Sequence, residues 1–486
     1  RTPYMLQRYR RLLLTLTALA FSAFTAATYA QVLDENQVEA VQHAVAETGG
    51  ELATLKAFEH DLGLPAGLSQ EQADALADEL WDAYKHGILQ AASGQDTALG
   101  DLPPTLAELV EQAENGRINI EARAMPLRDF VMPFTLIRRE ASGVPEAGRP
   151  MFICTHGGGG NGNVAGPHAW DVNTREWQTQ TQFAIQLYQP EGLYFVPRMA
   201  DDRMGRWRHA HHQDQFELAI RHGILFWGVD PNRVYKLGIS QGGFASAILG
   251  MFMPDLFAGI NPMAGGVALG NPPENLRNLP CFTGVGEEDT MFNRAGNAIA
   301  THARLDELHE QDPEGYTHHL DLQPGRGHGI DYRPGAPWIA QYTRNPHPDT
   351  VVWTSKIQDG RRRSSVYWLE LEGDDLQGTI ALTAKIDRDT NSVALTAQQR
   401  STETAQGDPT QVGEEDSEST PLGGATVSVL LNDAMLDLSR PVTVTCNGEE
   451  VFSGNVERDG NTLLETLVRR GDWNYAFPVR IPVELE

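Results

Sequence analysis

Short apolar runs alternate with amphipathic segments through the middle of the chain. The runs have the length of buried strands and lie at residues 134–138, 152–155, 193–196, 234–237, 282–285 and 318–322. Helical composition is clearest at residues 213–227, 243–251 and 293–309. Strands that alternate with helices form mostly parallel sheets, which helices cover on both faces. The pattern therefore predicts an α/β fold, with a doubly wound and mostly parallel sheet, for residues 117–345.

The segment before this region has helical periodicity without strands. Residues 71–89 repeat apolar positions at helical spacing, and Ser69 with Gln72 has the spacing of a capping box at the start of a helix. We therefore expect a helical appendage over residues 31–116.

Short strands without intervening helices are predicted in the last part of the chain. They lie at residues 350–355, 366–372, 379–385, 426–431, 442–446 and 479–485. Asn447-Gly448 is typical of a hairpin turn. The acidic run at 401–424, which is rich in threonine and glycine, predicts a disordered loop. We expect an antiparallel, β-sandwich-like domain over residues 346–486.

Aromatic residues in this β domain have two interpretations. Most aromatic side chains in such domains pack in the core, but exposed ones can bind a carbohydrate or another polymer. The residues concerned are Trp353, Tyr367, Trp368, Trp473 and Tyr475. We favour packing and keep contact with a polymeric substrate as the alternative.

The first thirty residues have the pattern of a secretory signal peptide. Three arginines between positions 8 and 11 precede an apolar run at 12–27, and Ala30 closes a candidate cleavage site. Cleavage there would remove residues 1–30, and an uncleaved anchor is the alternative. We expect a secreted or periplasmic protein with no membrane span after removal of the signal.

Charge and cysteine content narrow the classes of partner. The 486-residue chain has a formal net charge of −27 at pH 7. Such a charge repels nucleic acids and anionic membrane surfaces, so neither is expected as a partner. Cys154, Cys281 and Cys446 are widely scattered, and the first two lie in predicted core strands, so we expect these two to be buried thiols and not part of a disulfide framework.

The pentapeptide Gly238-Ile239-Ser240-Gln241-Gly242 is the main candidate for chemistry. It follows one predicted strand directly and precedes a predicted helix. Glycines let a strand turn sharply into a helix, and the turn exposes the serine hydroxyl between them. Gly-x-Ser-x-Gly also occurs by chance in a chain with 47 glycines, but here the context is that of a nucleophile elbow. Ser240 is therefore predicted as a catalytic nucleophile.

Two downstream residues are predicted to activate Ser240. A serine hydroxyl needs a base within hydrogen-bond reach and a group that orients this base. Asp289, with Glu288 as second choice, follows the predicted strand at 282–285, and His328 lies between two glycines after the strand at 318–322. We predict Asp289 as the acid and His328 as the base. Solvated acids and an incidental histidine are the alternative.

A glycine-rich loop offers donors for an oxyanion. Four consecutive glycines, residues 157–160, follow the predicted strand at 152–155 and His156. Without Cβ atoms their backbone N–H groups stay unshielded and can point at a developing negative charge. We expect oxyanion donors at Gly157 or Gly158 and at Gln241. A phosphate-binding loop is excluded because no Gly-Lys-Ser or Gly-Lys-Thr follows.

These motifs, in this order along residues 134–342, resemble the α/β-hydrolase superfamily. The segment 230–235, which leads into Gly-x-Ser-x-Gly-Gly, is similar to secreted esterases related to polyhydroxybutyrate depolymerases and feruloyl esterases, and to prolyl-oligopeptidase-type hydrolases. The resemblance implies a triad and an oxyanion site formed by Ser240, Asp289, His328, Gly157, Gly158 and Gln241. The chain has no recognisable N-terminal propeller, unlike the best-known peptidase members. The resemblance therefore favours an esterase.

A polar cluster at residues 206–217 precedes the nucleophile strand. Trp207 and His211 are predicted to form a wall of a substrate pocket. A metal site is the weaker interpretation, because His211 and Asp214 fit helical ligand spacing poorly, and Glu217 lies further on. Neither a metal nor an organic cofactor is expected.

Together these patterns predict a secreted serine hydrolase that cleaves a small-molecule or polymeric carboxylic ester through an acyl-enzyme. A serine peptidase with the same residues is one alternative. An extracellular binding or scaffold protein with an inactive hydrolase fold is the other.

Overall fold

A computed structural model describes residues 31–91, 97–98, 118–140, 143–266, 271–373, 376, 378–400, 419–420 and 424–485. The predicted signal peptide lies outside the described residues, as do most of the predicted acidic loop at 401–424 and the end of the predicted appendage at 99–116. Among the described helices, none is both long enough and apolar enough to cross a membrane.

The elements of these residues are given in chain order. The helices are α1 (Glu35–Glu47), α2 (Leu52–Lys56), α3 (Gln70–Ala91), α4 (Asp171–Gln186), α5 (Ala210–Phe226), α6 (Gln241–Phe252), α7 (Arg294–Gln311), α8 (Gly335–Ile339) and α9 (Gly460–Arg470). The strands are β1 (Thr97–Ala98), β2 (Ile118–Leu127), β3 (Phe130–Arg139), β4 (Arg149–Thr155), β5 (Gly192–Pro197), β6 (Val229–Ile239), β7 (Gly259–Met263), β8 (Cys281–Gly286), β9 (His318–Gln323), β10 (Thr350–Ser355), β11 (Ser365–Val366), β12 (Leu369–Glu372), β13 (Thr379–Asp387), β14 (Ser392–Arg400), β15 (Ser419–Thr420), β16 (Ala425–Leu431), β17 (Val442–Cys446), β18 (Glu449–Gly454) and β19 (Val479–Leu485).

The central sheet has the strand order β1-β2-β3-β5-β4-β6-β7-β8-β9. Strands β4 to β9 pair in parallel with one another, whereas β2 and β3 pair in antiparallel fashion at one side. The carboxyl ends of the parallel strands therefore meet at one edge of the sheet. The predicted mostly parallel, doubly wound sheet is confirmed.

Helices cover both faces of this sheet because strand side chains point alternately to either side. On β4, Met151 and Ile153 join the apolar cluster under α5 and α6, whereas Phe152 and Cys154 join the cluster under α4 and α8. Burial on both faces explains the nearly continuous apolar runs in the sequence.

Two sheets around one core form the C-terminal region. One sheet runs β10-β13-β14-β17-β18, with β15 beside β14, and the other runs β11-β12-β16-β19. Their inward-facing residues share one apolar cluster, as in a β-sandwich. Among the described strands of these sheets, β14 and β17 pair in parallel and the other pairs are antiparallel. Asn447 and Gly448 form the β17–β18 turn with φ of 51° and 87°, as predicted.

The aromatic residues of this region serve mainly as core. Trp473 is 38% exposed and packs edge-on against Trp81 of α3, with 5.2 Å between ring centroids. The others are buried, namely Trp353, Tyr367, Trp368 and Tyr475. Of these five aromatic side chains, only Trp473 is therefore exposed enough to contact a polymer. The cysteines Cys154 and Cys281 are buried free thiols, as expected, and Cys446 is one too.

The N-terminal helices pack against α9, which the sequence pattern did not predict. Leu463 and Leu467 of α9 share an apolar cluster with α1 and α3. The capping box predicted at the start of α3 is confirmed, because Ser69 N donates to Gln72 Oε1 at 2.9 Å and Gln72 N donates to Ser69 Oγ at 3.2 Å. The helical appendage is thus tied to the C-terminal region. The domain limits at 116 and 345 stay predictions.

Candidate active site

Ser240 stands on the sharp turn between β6 and α6. Its φ of 55° and ψ of −112° lie outside the regions that L-residues favour, as in a strained nucleophile elbow. Close packing requires both flanking glycines, because a Cβ on Gly238 or on Gly242 would lie less than 3.0 Å from atoms of Thr155. The elbow is therefore held by the end of β4.

The imidazole of His328 lies between Ser240 and Asp289. Its Nε2 atom is 3.1 Å from Ser240 Oγ, and its Nδ1 atom is 2.7 Å from Asp289 Oδ2. Because a carboxylate only accepts hydrogen bonds, Nδ1 carries the proton, and Nε2 is free to accept from the serine hydroxyl. The three side chains predicted from the sequence form one hydrogen-bonded chain. Their catalytic roles stay predictions.

A second charged group holds Asp289 in place. The Asp289 side chain is buried after β8, and its Oδ1 atom accepts from Nη1 of Arg294 at 2.9 Å. The second-choice acid, Glu288, points its backbone N–H at the carbonyl oxygen of Arg326 at 2.8 Å. Asp289, and not Glu288, is therefore the partner of the imidazole.

The glycine loop after β4 packs directly against the serine. A Cβ on Gly157 would lie 3.4 Å from Ser240 Cβ. Gly158 has a φ of 87°, a conformation that favours glycine. Asn173 of α4 fixes the next residue, because Gly159 N donates to its Oδ1 at 3.2 Å and its Nδ2 donates to Gly159 O at 2.9 Å. Of the two predicted loop donors, Gly157 thus borders Ser240.

The start of α6 borders the same hydroxyl. Gln241 is the first residue of this helix, so its N–H has no acceptor within the helix. The aligned peptide dipoles also place a partial positive charge at this end. The predicted donor at Gln241 is thus available to an anion next to Ser240.

Ser240, Asp289 and His328 each follow a parallel strand of the central sheet. The elbow lies at the carboxyl edge of a mostly parallel sheet, Asp289 follows β8, and His328 follows β9. A strand-to-helix turn with Gly-x-Ser-x-Gly, followed along the chain by an acid and then a histidine, is the arrangement of the α/β-hydrolases. The mostly parallel sheet and the positions of these three residues on it are those of the α/β-hydrolase fold.

Comparison with known proteins gives distant likenesses to solved structures. A thermostable esterase matches with 18% identity and a TM-score of 0.36, and the match covers 46% of this chain and 63% of that esterase. A feruloyl esterase module from Clostridium thermocellum matches with 14% identity and a TM-score of 0.36, covering 52% of this chain and 98% of the module. A putative dienelactone hydrolase from Klebsiella pneumoniae matches with 14% identity and a TM-score of 0.32, covering 46% of this chain and 96% of that protein. No protein-family model and no curated protein matches the chain. Likenesses at this level carry no information about activity.

His156 and Trp207 hold the start of the glycine loop in place through hydrogen bonds to its backbone. His156 donates from Nδ1 to the Gly157 carbonyl oxygen at 2.6 Å and accepts at Nε2 from Met199 N at 3.2 Å. Burial lowers the pKa of His156 to about 3, so the ring stays neutral. Trp207 donates from its indole N–H to the His156 carbonyl oxygen at 2.9 Å. Trp207 is fully buried and has no surface for a substrate, which corrects its predicted place in a pocket wall.

His211 does not join the hydrogen-bonded chain at Ser240. Its ring stacks on Phe130 with 3.9 Å between centroids, and burial lowers its pKa to about 4. Asp214 and Glu217, which the metal interpretation required, bind Arg361 at 2.6 Å and Lys56 at 2.5 Å instead. In the part of the chain that the structure describes, no group of three histidine, cysteine or acidic side chains has the geometry to hold a metal ion. A substrate contact by His211 stays a prediction.

Two charged residues near the elbow were missed in the sequence. Lys236 of β6 is fully buried behind Ser240, within a strand whose pattern is otherwise apolar. Glu176 lies on α4, a helix that was not predicted, and its carboxylate approaches Gly157. Neither residue belongs to a motif, so only their position in the fold reveals them.

Proposed function

We propose that this protein is a serine hydrolase that cleaves carboxylic esters through an acyl-enzyme. The observation that carries the proposal is the hydrogen-bonded chain from Ser240 Oγ through His328 to Asp289, with distances of 3.1 Å and 2.7 Å. A nucleophile, its base and the group that orients the base need this geometry.

In the proposed reaction Ser240 Oγ attacks the ester carbonyl carbon while His328 Nε2 takes the hydroxyl proton. Asp289 stabilises the imidazolium that forms, and its own position is held by Arg294. His328 then gives the proton to the leaving alcohol as the ester C–O bond breaks. Water, activated by His328, attacks the acyl-enzyme in the same way and releases the acid and the free serine.

The charge that develops on the carbonyl oxygen is stabilised by backbone donors. We assign this role to the N–H of Gln241 and to one N–H from Gly157 or Gly158, because both segments border Ser240. Each such donor typically contributes about 3 kcal/mol of transition-state stabilisation. The reaction requires neither a metal nor an organic cofactor.

Ester hydrolysis by the purified protein tests the proposal. We expect release of the alcohol from an aryl ester, and a fall in kcat of at least about 10³-fold in Ser240→Ala. Ser453→Ala, in an exposed position on β18, serves as the control and should keep full activity. Equal activity of Ser240→Ala and the wild type would contradict the proposal.

The same assay separates the ester from the peptide substrate. The proposed esterase hydrolyses the aryl ester with a higher kcat/KM than a peptide amide of the same acyl group. Cleavage of the amide alone would indicate a peptidase. No turnover of either, by a folded protein, would favour a binding protein with an inactive fold.

A further inference from the structure

One carboxylate at the proposed active site has no part in the triad. Glu176 lies on α4, behind the glycine loop, and is half-buried. A Cβ on Gly157 would lie 2.6 Å from Glu176 Oε2 and 3.4 Å from Ser240 Cβ. The carboxylate and the serine thus approach the same point of the glycine loop.

In the part of the chain that the structure describes, the Glu176 carboxylate has no hydrogen-bond or salt-bridge partner. Burial has the largest effect on the pKa of Glu176 and raises it, whereas the nearby His328 side chain and the exposed Arg175 guanidinium lower it by less. Asp289 differs, because its two oxygens are engaged by His328 and Arg294.

A free negative charge in this place affects the proposed reaction. The oxyanion forms beside Gly157, so an ionised Glu176 opposes the charge that develops there. A bound neutral ester also displaces water from the carboxylate and leaves it without a hydrogen-bond donor. A substrate with a positive charge removes both penalties, because it pairs with the carboxylate and also stabilises the oxyanion.

We propose that Glu176 binds a cationic group of the substrate close to the scissile carbonyl, so that the protein prefers esters that carry an amine, such as aminoacyl esters. The proposal rests on the proposed ester hydrolysis and names its substrate class. The net charge of −27 acts in the same direction, because a strongly negative protein attracts cations and repels anionic esters.

A pair of substrates with the same shape tests the preference. The ethyl esters of alanine and of isobutyric acid differ by an ammonium group in place of a methyl group. At about pH 6.5 the amine is charged, because α-amino groups titrate near 7.7–8.0. We expect the wild type to show a kcat/KM for the alanine ester at least about tenfold higher, which corresponds to about 1.4 kcal/mol.

Glu176→Gln removes the charge and keeps the shape of the side chain. We expect the preference to fall to about one, since kcat/KM drops for the alanine ester and rises for the isobutyrate ester. Asp171→Asn makes the same change of charge at an exposed position on the same helix and should keep the preference. In the wild type the preference should also weaken as salt is raised, because salt screens partly exposed charges. The net charge of the protein also responds to salt, so Glu176→Gln is compared over the same salt range. A salt dependence that Glu176→Gln loses is due to Glu176, and a purely structural role would leave it unchanged.

The outcomes separate the inference from the proposed function. Labelling of Ser240 by a fluorophosphonate probe in Glu176→Gln shows that the variant is folded and competent. Hydrolysis of both esters with the same ratio in the wild type and in Glu176→Gln would overturn the inference and leave the esterase proposal intact. If the wild type hydrolyses neither ester and its Ser240 is not labelled, both the esterase proposal and the inference about Glu176 would be overturned.

Discussion

Replacement of Lys236 by methionine should reveal a buried charge under the nucleophile elbow. The Lys236 ammonium is fully buried, and its hydrogen-bond partners are neutral: Thr155 Oγ1 at 2.5 Å, Leu237 O at 3.3 Å and Ser246 Oγ at 3.3 Å. Burial lowers the pKa of Lys236 from 10.5 to about 7. In the unfolded chain the amine is solvated and titrates near its ordinary value.

The direction of the pH effect follows from these two pKa values. Between about pH 7 and pH 10.5 the unfolded chain holds a proton on Lys236 that the folded protein has released, so stability rises with pH in this window. Above the window the lysine is neutral in both states, and the penalty is absent. Below about pH 7 the penalty is complete. Its size is on the order of 5 kcal/mol, because the two pKa values differ by about 3.5 units and each unit corresponds to about 1.4 kcal/mol.

Lys236→Met removes this charge and fills a similar space. The partner hydroxyls keep other acceptors, since Thr155 Oγ1 and Ser246 Oγ lie 3.2 Å and 2.8 Å from the Gly242 carbonyl oxygen. The variant should therefore be more stable than the wild type at pH 7, by a margin that shrinks towards pH 10. The assay is urea unfolding at several pH values, with the exposed Lys385→Met as control. If the difference in unfolding free energy between Lys236→Met and the wild type stays constant from pH 7 to pH 10, Lys236 does not lose its proton in this range and the reasoning is refuted.

Three further substitutions have defined outcomes. Asp289→Asn should lower kcat for an aryl ester by about 10³-fold, because the imidazole loses the carboxylate that orients it, and an unchanged kcat would exclude the assigned role. Gly242→Ala should lower the melting temperature by at least about 4 °C, because its Cβ would lie under 3.0 Å from the backbone of β4, whereas Gly166→Ala enters open space and should not. Arg344→Met should destabilise the protein by about 3 kcal/mol in urea, since it leaves Asp472 as an unpaired buried charge, and adding Asp472→Asn should restore part of this loss.

The sheet and the candidate site were largely predictable because their signals are local in sequence. Strands that are buried on both faces appear in the sequence as apolar runs, and the predicted triad and oxyanion residues each follow such a run within a few positions. Ser240 has its two glycines beside it, and His328 lies in a glycine loop after β9. Parallel strands then bring these loops to one edge, so position along the chain predicts proximity in space.

Two of the elements that the sequence pattern did not predict, α4 and β7, have polar or interrupted patterns. Helix α4 buries Asn173, Gln180 and Thr181 among its apolar residues, so no helical stripe is visible in the sequence. Strand β7 contains a buried asparagine and a proline, which weaken a strand pattern. Helix α9 has a clear apolar face, but it lies within a run of predicted strands. Its partner surface on α1 and α3 is about 400 residues away in the chain.

The sequence does not predict the environment of individual side chains whose role depends on burial. Trp207 looked like a pocket residue because it lies in a polar cluster, yet it is buried under the glycine loop. Lys236 carries a charge that no strand pattern predicts to be buried. Glu176 belongs to no motif, and only the fold brings it to Gly157. Such roles depend on contacts between distant segments, which a single sequence does not display.

Covalent labelling by a fluorophosphonate tests most directly whether Ser240 is a nucleophile activated by His328. We predict one adduct, located by mass spectrometry on the peptide that contains Ser240, and a labelling rate at least about 100-fold lower in His328→Gln. An adduct on another residue, no adduct on the folded wild type, or equal labelling rates of the wild type and His328→Gln would contradict the account.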